Sequence, residues 1–224
     1  ANPPAAIERD LRPISLTPTL SKVLKSFAGT WILNEINDKL DKRQFGALKG
    51  RSTTHSLVDM LHHWQTAVDN HESVRIVFLD YAKAFDHVDH SVVIRKLHDL
   101  GVSTILIRWV SAFLYDRKQR VKISDVFSNW VSLKGGMPEG SWLGPLTFLI
   151  LIDDLSASCM MHKFVDDTTL SEIILQHESS HINEIISEVI NWSNNNSMNI
   201  NFSKTKELIL GSMSRNPPIY IYIY

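Results

Sequence analysis

The feature that most limits what this chain can fold into is the position of its acidic residues at the ends of strand-forming runs. VRIVFLD (74–80) is short, apolar and β-branched, as expected of a strand buried on both faces, and it ends at Asp80. CMMHKFV (159–165) and TTLSEIIL (168–175) are two further strand candidates on either side of Asp166-Asp167, a tight-hairpin signal, and KELILG (206–211) is a fourth. With the helical segments between them, residues 74 onward follow a βαββαβ pattern carrying an insertion after the first strand, an α+β class of fold. In that arrangement strands one and two run parallel with strand three antiparallel between them, so the turn joining two and three lies at the C-terminal end of strand one. Three carboxylates distant in sequence are therefore expected at one edge of one sheet.

The remaining segments fit around this sheet. Residues 20–40 and 54–70 place apolar residues at three-to-four spacing and predict helices, with the basic, glycine-bearing loop QFGALKGRST (44–53) between them. Helices are also predicted over 89–100 and 103–115, separated by Gly101, and over 177–196. RKQRVKI and SNWVSLK (117–134) alternate as a hairpin, and GGMPEGS supplies turn chemistry before an apolar helix at 142–155 that tolerates Pro145 in its first turn. The run from Trp142 to Ile152 is too short to cross a bilayer, which takes about 20 residues, so no membrane partner is expected. The single cysteine, Cys159, rules out an internal disulfide framework and a cysteine-based zinc site and suits an intracellular compartment. His62, His63, His87 and His90 lack spaced partners and are expected to be surface or core histidines. The N-terminus carries no targeting signal, and its opening Ala suggests a segment of something longer.

Charge is distributed in blocks. The 23 Lys and Arg nearly balance the 24 Asp and Glu, which alone argues against a polyanionic partner. Residues 9–51, however, hold nine basic against four acidic, residues 117–134 five against one, and residues 135–200 one against nine. Basic segments flanking acidic ones suit a protein that holds a polyanion with one part and cations with another, although solvated helix faces produce the same pattern.

Carboxylates forced together repel and raise one another's pKa unless a cation neutralises them. Hard oxygen ligands in small number suit Mg²⁺ or Mn²⁺, and two such ions about 3.5–4 Å apart stabilise both oxygens of an in-line phosphoryl displacement. The chemistry indicated is nucleotidyl transfer.

Four segments in order, FLDYAKAFDHVDH (78–90), GGMPEGSWLGPLTF (135–148), FVDDTTL (164–170) and NFSKTKELIL (201–210), resemble the successive palm motifs of reverse transcriptases, specifically those of non-LTR retrotransposons of LINE type. RPISLTPTLSKVLKSF (12–27) and QFGALKGRST resemble fingers motifs of the same family. The resemblance covers about residues 10–211 and implies a right-hand polymerase. Fingers would occupy 1–73. A ferredoxin-like βαββαβ palm, an antiparallel sheet with helices on one face, would occupy 74–213 with a helical and hairpin insertion at about 89–134. Residues 214–224 would be a tail before the primer grip, with the thumb missing. The implied activity is RNA-directed DNA polymerisation, in which deoxynucleoside triphosphates are added to a primer 3′-hydroxyl with two Mg²⁺ or Mn²⁺ ions. RNA template, DNA primer and the rest of a polyprotein, endonuclease and thumb included, are the implied partners, and the nucleus the implied place of action.

Carried onto this sequence, the resemblance makes Asp80, Asp166 and Asp167 the metal-binding and catalytic carboxylates. Phe85, five residues past Asp80, becomes the steric gate under the incoming sugar. Arg12, Lys49, Arg51 and Gly140 fall where nucleotide is bound, and Pro138, Glu139 and Ser141 where template and primer lie. Lys204 is implied as general acid for the leaving pyrophosphate, with Lys206 as its alternative. Glu139 departs from the family's Gln and puts a carboxylate where phosphates or bases would lie, FVDD replaces an aromatic-Ala-Asp-Asp, and Asp153 stands where Asn is commoner. Those departures leave a second expectation open, a catalytically inert relic of a retroelement that binds RNA.

Overall fold

The computed structural model describes residues 15–137 and 142–215. Helix α1 (Thr19–Ile36) and helix α2 (Thr53–Asp69) precede strand β1 (Ser73–Leu79). Helices α3 (His90–Asp99) and α4 (Thr104–Leu114) follow, then four two-residue strands, β2 (Lys118–Gln119), β3 (Lys122–Ile123), β4 (Val126–Phe127) and β5 (Val131–Ser132). Helix α5 (Leu143–Ile152), strands β6 (Met160–Phe164) and β7 (Asp167–Ile174), helix α6 (Ile182–Asn195) and strand β8 (Lys206–Leu210) complete the order, with a short 3-10 turn at Ser212–Arg215. The helix starts follow local chemistry. Ser52 caps α2 by accepting from the His55 N–H, and Asp89 caps α3 by accepting from the Ser91 N–H.

One four-stranded sheet, in the order β6-β7-β1-β8 with every neighbour antiparallel, organises the molecule. This is the strand order expected from the βαββαβ pattern. The alternation of β1 sends Val77 and Leu79 to one face, where they join Leu170 and Met161 beneath α1, α3, α4, α5 and α6. Helix α5 is apolar around its whole circumference, so it can only be stable when enclosed on all sides, and Leu143, Leu146 and Phe148 through Ile152 are all buried.

Helices α3 to α6, which follow β1, pack on that same face, and the other face is covered from the segment before β1. Helix α2 lies on the opposite face, where Met60, Trp64 and Ala67 pack on Val74 and Ile76. The Trp64 indole N–H donates to Ser171 Oγ at 2.9 Å, Ser171 being the register partner of Ile76. The physical reason is β1 itself: with six of its seven residues buried, both of its faces need a cover. The expected hairpin at 117–134 forms, but as two short ladders. Lys118 and Gln119 pair with Ser132 and Val131, and Lys122 and Ile123 with Phe127 and Val126 at its tip.

Candidate active site

Strand β1 delivers Asp80 to the end of the sheet. The register pairs Leu79 with Thr168, so the next step along both strands sets Asp80 opposite Asp167. Asp167 in turn pairs with Phe164, which makes Val165-Asp166 a two-residue hairpin turn. The structure thus brings Asp80, Asp166 and Asp167 to one sheet end, as the strand order requires. The Asp167 carboxyl is held above the usual carboxylate range, first by its partial enclosure and then by the charges of Asp166 and Asp80. Asp80 Oδ2 is buried and accepts no hydrogen bond among the described residues. Lys204 is the cation beside it, with Nζ 3.7 Å from that oxygen.

The chain around Asp80 explains the position of Lys204. Tyr81 is buried and bridges to Ile200, the Asn201 N–H donates to Asp80 O at 2.7 Å, and the Ala82 N–H to Asn199 O at 2.8 Å. Burial pushes the Tyr81 phenol up to about 12, against the opposing hydrogen bond with Ser193. A turn closed by Thr205 N–H on Asn201 O then projects Lys204 toward the carboxylates. Lys206, the alternative to Lys204, is a β8 residue in register with Phe78.

The turn that carries Asp166 is strained and braced. Val165 has a φ of 57°, a left-handed conformation costly for a β-branched residue. The side-chain carbonyl of buried Gln44 accepts from the Val165 N–H at 3.3 Å and from the Gly46 N–H at 3.0 Å. The backbone runs alongside as well, with the Phe45 N–H donating to Lys163 O at 2.8 Å and the Lys163 N–H to Arg43 O at 2.9 Å. A Cβ on Gly46 would stand 2.5 Å from the Val165 nitrogen, so only glycine lets the 43–46 segment approach this closely.

Behind that turn lies a group of residues that sequence reasoning missed. Lys163 is wholly buried. Its ammonium donates to the carbonyls of Ile152, Asp153 and Leu155 at 3.1, 2.7 and 2.8 Å and pairs with Asp41 Oδ2 at 2.8 Å. These contacts satisfy carbonyls left open where α5 ends. Asp153, for which the sequence offered no account, accepts from the Asp41 N–H at 2.9 Å; burial first of all pushes its carboxyl up. The one available signal was a lysine inside the mostly apolar CMMHKFV.

The other expected site residues are distributed as follows. Phe85 is half-buried, with its ring 5.2 Å from that of buried Phe148, on the turn that follows Asp80. Its carbonyl accepts from the Met137 N–H at 2.7 Å, and the Gly136 N–H donates to Val88 O at 2.8 Å, so the start of the GGMPEGS loop folds back onto this turn. Gly136 has a φ of 78°, and a Cβ there would lie 2.8 Å from Asp86 O. Lys49 is exposed. Arg51 is a brace for its own loop, with Nη1 donating to the carbonyls of Asp41, Lys42 and Gln44. Arg12, Pro138, Glu139, Gly140 and Ser141, together with the tail after 215, lie outside the described residues. Among the histidines, His90 is buried and hydrogen-bonded through Nε2 to Gly136 O at 2.8 Å, and His63 is held by Asp59 of its own helix.

Three acidic side chains with hard oxygen donors, one of them carrying a buried oxygen that accepts no hydrogen bond among the described residues, suit a divalent cation. Among the described residues, though, no three His, Cys, Asp or Glu side chains are grouped so as to hold a metal ion as they stand. Nor is any helix among them long and apolar enough to cross a membrane.

Comparison with known proteins gives the family and the likeness of fold. Residues 4–216 match the family described as reverse transcriptase (RNA-dependent DNA polymerase). The chain is 31% identical over 184 residues to the probable RNA-directed DNA polymerase from transposon BS of Drosophila melanogaster, covering 77% of this chain and 20% of that protein. It is 27% identical over 222 residues to the corresponding probable polymerase from transposon X-element of the same organism, covering 94% and 24%. The chain therefore spans about a fifth to a quarter of the length of these relatives. Among solved structures, telomerase from Candida albicans in complex with a fragment of telomeric RNA superposes with a TM-score of 0.62 at 12% identity. That match covers 90% of this chain and 36% of the telomerase chain, a likeness of fold.

Proposed function

This chain belongs to the reverse transcriptase family, of the kind found in non-LTR retrotransposons, and from that premise we propose that it is the fingers and palm of an RNA-directed DNA polymerase. Fingers would span 1–73 and palm 74–213, with the 89–134 insertion belonging to the fingers. The substrates would be an RNA template, a DNA primer and deoxynucleoside triphosphates, and the endonuclease and thumb would come from elsewhere in a polyprotein. The observation that supports this reading most directly is the acidic sheet end. Asp167 carries a raised pKa from burial and from Asp166 and Asp80, and Asp80 Oδ2 is buried without a hydrogen bond.

Asp80, Asp166 and Asp167 would hold two Mg²⁺ or Mn²⁺ ions, which when bound supply neutralisation of phosphate charge and activation of the primer 3′-hydroxyl. The protein's own residues would do the rest. Phe85, backed by Phe148, would stand under the sugar of the incoming nucleotide and exclude a 2′-hydroxyl. Lys204, exposed at its tip and held near Asp80, would give a proton to the departing pyrophosphate. Lys49 and Arg12 would meet the triphosphate, with Gly140, Pro138, Glu139 and Ser141 along the nascent pair. Arg51 would contribute by holding the 41–51 loop in shape, as its three carbonyl contacts suggest.

Extension of a DNA primer on an RNA template tests the reading. Wild-type incorporation that Asp80→Asn lowers by at least about 100-fold is the expected result. Equal incorporation by both proteins overturns the carboxylate role. The second reading, an inert RNA-binding relic, draws on Glu139, whose charge would oppose template binding. It predicts RNA affinity that falls with salt and is indifferent to Mg²⁺ and to nucleotides.

A further inference from the structure

The hairpin at 117–134 is not needed by the carboxylate chemistry. All of residues 118–132 are exposed, among them Val121, Ile123, Val126, Phe127, Trp130 and Val131. Apolar side chains this numerous are costly in water on an arm held by two ladders of two pairs each. They are interleaved with cations. The Arg120 guanidinium lies 4.0 Å from the Phe127 ring centre and 4.7 Å from that of Trp130, and Lys122 Nζ lies 5.4 Å from Phe127. At the base of the arm a cleft of about 600 Å³ is lined by Lys118 and Lys134, with His90, Tyr115 and one acid, Asp116.

We propose that this hairpin is a binding arm for single-stranded RNA, with unpaired bases stacking on Trp130 and Phe127 and phosphates running past Arg120 and Lys122 to Lys118 and Lys134. Cations seated on the rings disfavour an apolar protein surface, which would have to bury them unpaired, but they match a ligand that presents a π-face and a negative charge at every residue. A duplex hides its base faces, so the rings select single strands. The cleft adjoins His90, whose Nε2 is bonded to Gly136 O, two residues before the loop at 138–141. In choosing RNA over single-stranded DNA the inference rests on the template role proposed for that loop.

Fluorescence anisotropy of a labelled, unstructured 20-nucleotide RNA tests the proposal with the 224-residue chain in EDTA and without nucleotides. The expected results are tighter binding of the single strand than of the matching RNA duplex or DNA strand. Trp130→Ala should weaken binding about tenfold, and Trp130→Phe should stay within about twofold of wild type. Lys118→Gln with Lys122→Gln should lower the slope of log affinity against log salt by about 1.4. Unchanged thermal melting of each variant shows that the fold is intact. An affinity unmoved by Trp130→Ala overturns the proposal, as does equal binding of duplex. Tighter binding of the DNA strand overturns the assignment to RNA. Sedimentation in which Trp130→Ala dissociates an oligomer while RNA affinity stays constant assigns the arm to a second copy of the chain and overturns it too. With no divalent ion or nucleotide present, the assay reads the arm without the carboxylate site, so a failed primer extension leaves its outcome standing.

Discussion

Two clusters of charge sit at the same end of the sheet and are treated in opposite ways. At Lys163 one buried ammonium meets three carbonyls and the Asp41 carboxylate, and the backbone of the 43–46 segment closes over it. At the tip of the adjoining hairpin three carboxylates converge with Lys204 at 3.7 Å from Asp80, and one buried oxygen is left without a hydrogen bond. The first arrangement is what a stable interior requires. The second is destabilising on its own and becomes reasonable when something bound from outside completes it. The contrast separates scaffold from site without reference to any relative.

Breaking the satisfied cluster should have the largest effect. Lys163→Met takes the ammonium away from Asp41 and from three carbonyls and should cost about 3–5 kcal/mol in urea unfolding; a loss below about 1 kcal/mol means the network is not structural. Next is the brace that joins the two clusters. Gly46→Ala drives a Cβ into the Val165 backbone and should cost about 1–3 kcal/mol in the same measurement, a neutral result showing that the turn can retreat freely.

A pH series sharpens the comparison further. Burial pushes His162 below its usual 6.5, against the opposing hydrogen bond to Asp59 at 2.7 Å. Asp59 is held below 3.8: burial works to raise it, and the His162 hydrogen bond, with the charges of His162, His63 and Arg43, outweighs that. The unfolded chain takes up a proton at His162 that the folded chain resists, so this contribution is intact above about pH 6.5 and is lost on acidification. The Asp59 contribution is intact above about pH 3.8 and goes as pH falls through its lower folded value. His162→Gln should therefore flatten the stability profile below pH 6.5; an unaltered slope removes His162 as its source.

The smallest effect belongs to the carboxylate cluster and has the opposite sign. A raised Asp167 favours the protonated folded state at low pH and is destabilising once ionised, so Asp167→Asn should raise the melting temperature by about 1–2 °C at pH 7.5 in EDTA. Mg²⁺ should stabilise the wild type and act much more weakly on the variant. A variant that melts lower in EDTA contradicts the repulsion on which the site was inferred.

Strand order, the meeting of Asp80 with the Asp166-Asp167 turn, and an apolar helix at α5 were legible from the chain because they follow from hydrophobic period and connection rules. Phe85 was a candidate only through the family resemblance, and the structure adds Phe148 behind it. The residues that hold the turn were not. Gln44 seemed part of a basic loop, Lys163 one more residue of a strand, and Arg51 a ligand for nucleotide, since one-dimensional spacing says nothing about which nearby carbonyls a long side chain will turn to meet or which distant turn Gln44 will brace.

The amino-acid order alone decided that four antiparallel strands would carry three acids to one edge, because alternation and handedness leave few ways to bury these runs. Only the folded molecule decided which charges would be satisfied there. Whether Lys163 finds partners depends on where α5 ends and on how closely the 43–46 segment approaches, and what stands beside Asp80 depends on the 199–205 turn that carries Lys204, distances set by packing rather than by neighbours in sequence.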